Sequence, residues 1–149
     1  ECFACRHSAP YNSAWSVVTA VLSPMHHIAF IAAGGAVGAL ARYWVGIAVR
    51  EAWSFSWPFA TLLINVSGSL CMGIMFVLIE RSQIHPDWRS VLMVGFLGAF
   101  TTFSTFSLET VELWEKVSAN AAIAYALGTT TSCVLAAALG IFLTRQLLT

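Results

Sequence analysis

Charge is what this sequence has least of. Of its 149 residues only seven are Lys or Arg and seven Asp or Glu, and the two signs cancel. A soluble domain carries about 25% charged residues, so 9% argues against a water-exposed globule. The lack of net positive charge argues against nucleic acid as a partner. Acidic residues are missing from the first long apolar segment, where a small multidrug/proton antiporter needs an embedded carboxylate. Bases are missing too: His26 and His27 stand at the start of that segment and His85 lies in a loop. A membrane-embedded serine therefore has no His or Lys to activate it, which argues against an intramembrane enzyme. Cysteine is sparse and badly placed for metal or redox work. Cys2 and Cys5 form a lone C-x-x-C without a second pair, and Cys71 and Cys133 sit in apolar segments as small packing residues.

What remains is apolar. Hydrophobic residues make up 58% of the chain, and the mean hydropathy is +0.78. A membrane-crossing helix needs roughly 20 such residues. Four segments qualify: Ile28 to Val49, Pro58 to Ile79, Val91 to Leu113 and Ala119 to Leu143. The expected fold is an all-α membrane protein of four transmembrane helices. Residues 1–24 do not resemble the rest. Their apolar run, Ala14 to Leu22, is short for a span and has weak signal-peptide features. They are read as an N-terminal extension outside the mature fold, with residues 25–149 as the single domain.

Between the spans, Trp53, Phe55 and Trp57 mark a membrane boundary, and Pro86 stops the chain from continuing as one helix. Four crossings put the two ends on one side. That side and the middle loop carry Arg6, Arg81, Arg89 and Arg145; the other side carries Arg42, Arg50 and Lys116. So little bias sets no orientation, and a chain of this kind is expected to insert both ways and form an antiparallel dimer.

Several polar features interrupt the apolar pattern. Gly34 and Gly38 form a small-xxx-small face on which helix backbones approach closely. Arg42 lies about a turn and a half before the end of the first span, placed either to snorkel to headgroups or to attract an anion at a pore mouth. Thr61, Asn65, Gly68 and Ser69 share one face of the second span. There Asn65 is either packing glue between helices or a pore-lining amide donor. The third span contains Gly95-Phe96-Leu97-Gly98-Ala99-Phe100-Thr101-Thr102-Phe103-Ser104-Thr105-Phe106-Ser107-Leu108-Glu109. Two glycines followed by five hydroxyl residues weaken a helix, and a broken helix at membrane depth is tolerated only where protein or a water-filled cavity satisfies the freed backbone. The expectation is a broken third helix at an ion pathway. Glu109 is placed either to meet a neighbour's hydroxyl or to reach the interface. In the fourth span Thr129, Thr130, Thr131 and Ser132 run together. Such hydroxyls usually bond their own helix, but four in a row point at least one into a polar cavity.

These motifs resemble a known family. Gly34-Gly35-x-x-Gly38-Ala39-x-x-Arg42-Tyr43, then Thr61-x-x-x-Asn65-x-x-Gly68-Ser69, then Gly95-x-x-Gly98-x-x-Thr101-Thr102-Phe103-Ser104-Thr105-Phe106-Ser107-x-Glu109 look like the signature of the CrcB/Fluc fluoride channels, in family order, within residues 25–149. Ala60 and Cys133 depart from the family pattern. The resemblance implies a dual-topology homodimer in the cell (plasma or inner) membrane, with two antiparallel pores that let fluoride leave the cytoplasm passively and so protect the cell from it. It implies a structural Na+ at the dimer centre, held by the backbone carbonyls of Gly98 and Thr101. It places Phe103 and Phe106 as the aromatic rings of the fluoride pathway, with Asn65, Thr129, Ser132, Thr105, Ser107 and Arg42 along it. Aromatic rings have a positive edge, and a ring turned edge-on holds a hard anion weakly enough for it to leave again. The alternatives are a proton-coupled fluoride carrier, the multidrug/proton antiporter and a non-conducting scaffold.

Overall fold

The structure, a computed structural model, describes residues 12–52, 57–81 and 88–148, with side chains from His27 onward. A bilayer offers no water to backbone N–H and C=O groups, so an apolar chain satisfies them within helices. Among the described residues there is no strand. Helix α1 spans Asn12–Ala52 and α2 spans Phe59–Glu80. A wide π-type helix, Arg89–Leu97, runs directly into an α-helical turn, Gly98–Phe100; the two together are α3 (89–100). Helix α4 spans Phe103–Lys116 and α5 spans Ala119–Leu147.

Four stretches are long and apolar enough to cross a membrane: His27–Ala52, Phe59–Glu80, Arg89–Lys116 and Ala119–Leu147. Their ends fall within four residues of those expected from the sequence. The protein is an integral, multi-pass, all-helical membrane protein. Residues 1–11, which include the C-x-x-C pair and the start of the expected extension, lie outside the described residues. From Asn12 the backbone is helical and continuous with the first span.

Two close crossings organise the bundle, α1 on α3 and α2 on α5. Both are made by glycines. A Cβ on Gly34 or Gly38 of α1 would run into the carbonyl oxygens of Val91 and Phe96, and one on Gly95 of α3 would lie 2.8 Å from the Ile31 carbonyl oxygen. In the second crossing a Cβ on Gly73 would meet the Ala137 carbonyl, and one on Gly140 would lie 2.5 Å from that of Leu70. Lipid tails are as apolar as leucine, so these helices associate through contact packing rather than hydrophobic exclusion, and the missing side chains let the backbones touch.

Helix α4 leans on α5 through a cluster of Phe106, Leu113, Ala122 and Tyr125, with Trp57 packed against it. Between α3 and α4 the chain is extended for two residues: Thr101 has φ −75° and ψ 156°, and Thr102 has φ −148° and ψ 112°. Asn65, Ser104 and Thr105 direct polar groups at the second of these two residues.

Candidate functional site

Thr102 is buried, and each of its polar groups is occupied. Its N–H donates to Asn65 Oδ1 at 2.8 Å, and its carbonyl accepts from Asn65 Nδ2 at 3.1 Å. Its hydroxyl oxygen caps α4 by accepting from the Thr105 N–H at 3.3 Å. One turn further along α2, Gly68 leaves the space that the Thr101 methyl fills. The Asn65–Gly68 face of α2 is thus a seat for the extended pair. Hydroxyls here otherwise turn back on their own helices: Thr101 bonds the Leu97 carbonyl at 2.9 Å and Ser107 the Phe103 carbonyl at 2.9 Å. This is the local competition that Ser and Thr offer a helix.

Two cavities meet at Thr102. The first, about 480 Å³, opens between α1, α2 and α4. Its mouth holds Arg42, Arg50 and Lys116 against Glu109 and Glu112, and Thr61, Thr105 and Thr102 line its inner part. The two carboxylates are already engaged. Glu112 pairs with Lys116 at 3.1 Å. Glu109 accepts from the Thr61 hydroxyl at 2.7 Å and from the Tyr125 hydroxyl at 2.8 Å, joining α2, α4 and α5 at one carboxylate. Glu109 keeps its charge, since only neutral hydroxyls meet it, but the three basic groups of this mouth outnumber its two carboxylates, so its field favours anions.

The second cavity, about 330 Å³, lies beyond Thr102 and is walled by α2, α4 and α5. Asn65, Phe103, Phe106, Thr129 and Cys133 border it. Phe106 packs on Tyr125 with ring centroids 5.4 Å apart and is 8% exposed, whereas Phe103 is 78% exposed. Thr129 is 4% exposed; its Oγ1 makes no well-formed hydrogen bond among the described residues, although the Tyr125 hydroxyl is near enough to interact with it. A buried hydroxyl without a partner costs about 1–3 kcal/mol, so this one marks a place where a ligand or solvent would supply the missing contact.

Of the residues singled out in the sequence, the structure brings Asn65, Phe103, Phe106 and Thr129 to one cavity and Arg42 and Thr105 to the other. Thr101 borders the second cavity; Gly98 lies on the exposed surface of α3 beside it in sequence. Ser107 borders neither cavity, and its hydroxyl bonds its own helix. Ser132 borders neither as well. The cavity-facing positions of α5 are 129, 130, 133, 134 and 137, and at about 100° per residue Ser132 falls on the opposite flank of Thr129 from them. Sequence reasoning left Glu109 between two roles; the signal for the first was its spacing, three residues after Phe106 on one helical face. Thr61 stood out only as a member of the Asn65 face, and its value, like that of Tyr125, lies in meeting Glu109 from another helix.

A bundle of membrane-crossing helices with a basic mouth, an inner polar-aromatic cavity and a shared wall of extended backbone is the architecture of a small polytopic membrane protein with an internal polar path. The chain belongs to the CrcB-like family: the family described as CrcB-like protein, Camphor Resistance (CrcB), matches residues 29–141. It is 48% identical over 118 residues to a fluoride-specific ion channel FluC of Saccharophagus degradans, covering 78% of this chain and 88% of that protein. It is 42% identical over 123 residues to the protein of that name in Hahella chejuensis, covering 82% and 97%, and 38% identical over 125 residues to that of a Chelativorans species, covering 83% and 100%.

Proposed function

We propose that this protein is a fluoride-selective channel through which fluoride leaves the cytoplasm down its electrochemical gradient, protecting the cell. The observation that carries the reading is the meeting of the two cavities at Thr102. On one side stands a mouth whose basic groups outnumber its carboxylates; on the other stand the Phe103 and Phe106 rings and the Thr129 hydroxyl, which has no hydrogen bond among the described residues. The names of the relatives support it. Fluoride holds its water tightly, so a pore must replace that water with close donors, and hydroxyls and amides supply them. In this reading Arg42 draws fluoride to the mouth, Thr105 and Thr102 border the passage, and Phe103, Phe106, Asn65 and Thr129 border the inner track. Ser107 and Ser132 stand outside it in the single chain. The protein carries ions and performs no covalent chemistry.

The Thr101–Thr102 interruption is read as a break within one membrane crossing. The working unit is an antiparallel homodimer of dual topology. Three features support a second copy: Phe103 is 78% exposed although it borders the track, the inner cavity lacks a wall on that side, and the loop charges set no orientation. Gly98 and Thr101 suit the backbone ligands of a structural Na+. In an unbroken α-helix the Thr102 N–H donates to the Gly98 carbonyl; here it donates to Asn65, which leaves that carbonyl an oxygen of the kind hard cations take. The ion would supply positive charge that holds two interruptions together.

Efflux from liposomes containing the purified protein, followed with a fluoride electrode and with chloride as control, tests the function. Rapid, electrogenic fluoride loss with little chloride loss is expected. Flux that follows a pH gradient would instead indicate the proton-coupled carrier, and absence of flux from a folded dimer in Na+ would indicate a scaffold.

A further inference from the structure

Asn65 borders the inner cavity, and the simplest role for it there is to donate to the passing ion. The hydrogen bonds describe a different job. Its carboxamide oxygen takes the Thr102 N–H at 2.8 Å, and its carboxamide nitrogen gives to the Thr102 carbonyl at 3.1 Å. This pair of antiparallel bonds is the arrangement by which one peptide group pairs with another. Asn65 is buried, as is Thr102, so both bonds are largely shielded from bulk water. Thr101 and Thr102 are extended at the point where α3 would otherwise continue into α4. Restoring the helix there would require the Thr102 N–H to swing back to the Gly98 carbonyl, four residues earlier.

We propose that Asn65 is a positioning residue: it stands in for a backbone partner at Thr102, holds the interruption open, and by taking the Thr102 N–H keeps the Gly98 carbonyl available to a cation. The second half of this statement rests on the sodium reading above; the first half does not. Gly68 works with it by accommodating the Thr101 methyl, so that α2 seats both extended residues. The spacing of Asn65 and Gly68 thus matches the two extended residues that α2 seats.

The test is hydrogen exchange of the segment 98–106 in the full-length protein, with and without Na+, in the wild type and in Asn65→Ala and Asn65→Asp. Aspartate keeps the acceptor for the Thr102 N–H and loses the donor to its carbonyl, so it carries the test if the alanine variant does not fold. Exchange in this segment is expected to quicken at least about tenfold in Asn65→Ala, the factor that corresponds to one buried hydrogen bond, and less in Asn65→Asp. The Na+ concentration that half-protects the segment is expected to rise by a similar factor. Thr129→Val, which alters the track without touching the interruption, is expected to leave both readouts in place. If Asn65→Ala slows fluoride efflux while exchange of 98–106 stays at the wild-type rate, Asn65 is an ion donor and the proposal fails. If wild-type exchange is indifferent to Na+, the link to the cation site fails, while the exchange rates still judge the clamp on Thr102.

Discussion

Phe103 and Phe106 lie three residues apart on α4 with ring centroids 5.4 Å apart and planes tilted by 47°, yet one is 78% exposed and the other 8%. Phe106 is held on its far side by Tyr125, at the same centroid distance. Phe103 has no such support among the described residues. The two rings border one cavity but stand in different environments, and the difference separates effects on conduction from effects on folding.

Phe106→Ile is expected to slow fluoride efflux by roughly tenfold, the scale of one aromatic interaction, and to lower the melting temperature, since it leaves a gap against Tyr125. Phe103→Ile is expected to slow efflux by a similar factor. A single chain would keep its stability; a dimer that covers Phe103 would weaken. Equilibrium dilution of the variant in detergent or lipid, followed by its oligomeric state, checks this. Unchanged association would count against Phe103 lying under a second copy.

Thr129→Val replaces a buried hydroxyl by a methyl of nearly the same shape. Because Thr129 Oγ1 lacks a hydrogen-bond partner among the described residues, the substitution is expected to leave stability unchanged or raise it by up to about 1 kcal/mol, while fluoride efflux falls several-fold. These opposite signs are the signature of a group retained for a ligand. A loss of stability in thermal melts would show that the hydroxyl is already satisfied.

Glu109→Ala would strand two hydroxyls at once, those of Thr61 and Tyr125. The expected cost is about 2–6 kcal/mol at roughly 1–3 per stranded group, offset in part where water enters the mouth. Glu109→Gln keeps one acceptor and a donor that a rotated hydroxyl can meet, and should cost about half as much. Chemical denaturation of the purified variants reads both, and equal costs would show that the carboxylate charge, not its two acceptors, matters.

Gly38→Val should abolish folded protein, because its Cβ would occupy the place of the Phe96 carbonyl oxygen. Gly128→Ala should be neutral or stabilising by up to about 1 kcal/mol, since nothing lies within 4 Å of the added atom and alanine favours a helix interior. Yield of monodisperse protein and its melting temperature separate the two. Equal tolerance at both positions would contradict the close α1–α3 crossing.

The four crossings were legible because each is a local property: a run of some 20 apolar residues must form its own backbone hydrogen bonds in lipid whatever its neighbours do. The glycine faces were legible for a related reason, since a missing side chain permits close approach before any partner is known. The cluster of hydroxyls at 101–107 was visible as a place where a helix is weak. Its composition did not say which hydroxyl serves which purpose. Thr102 caps α4, Thr101 and Ser107 bond their own helices, and Thr105 borders the mouth. These assignments depend on where the chain leaves helical geometry by a single residue.

The sequence by itself determined that this is a four-crossing membrane protein with a polar interruption in its third apolar segment, because apolar run length and hydroxyl density act within one segment. The tertiary structure alone decided which polar groups are spent and which are free. Asn65 is committed to the Thr102 backbone 37 positions away, Glu109 joins Thr61 and Tyr125 from two other helices, and Thr129 has no hydrogen bond among the described residues while Ser132 turns away. A hydrogen bond between helices is a fact about distance and direction in three dimensions, and no single segment carries the coordinates of its neighbour.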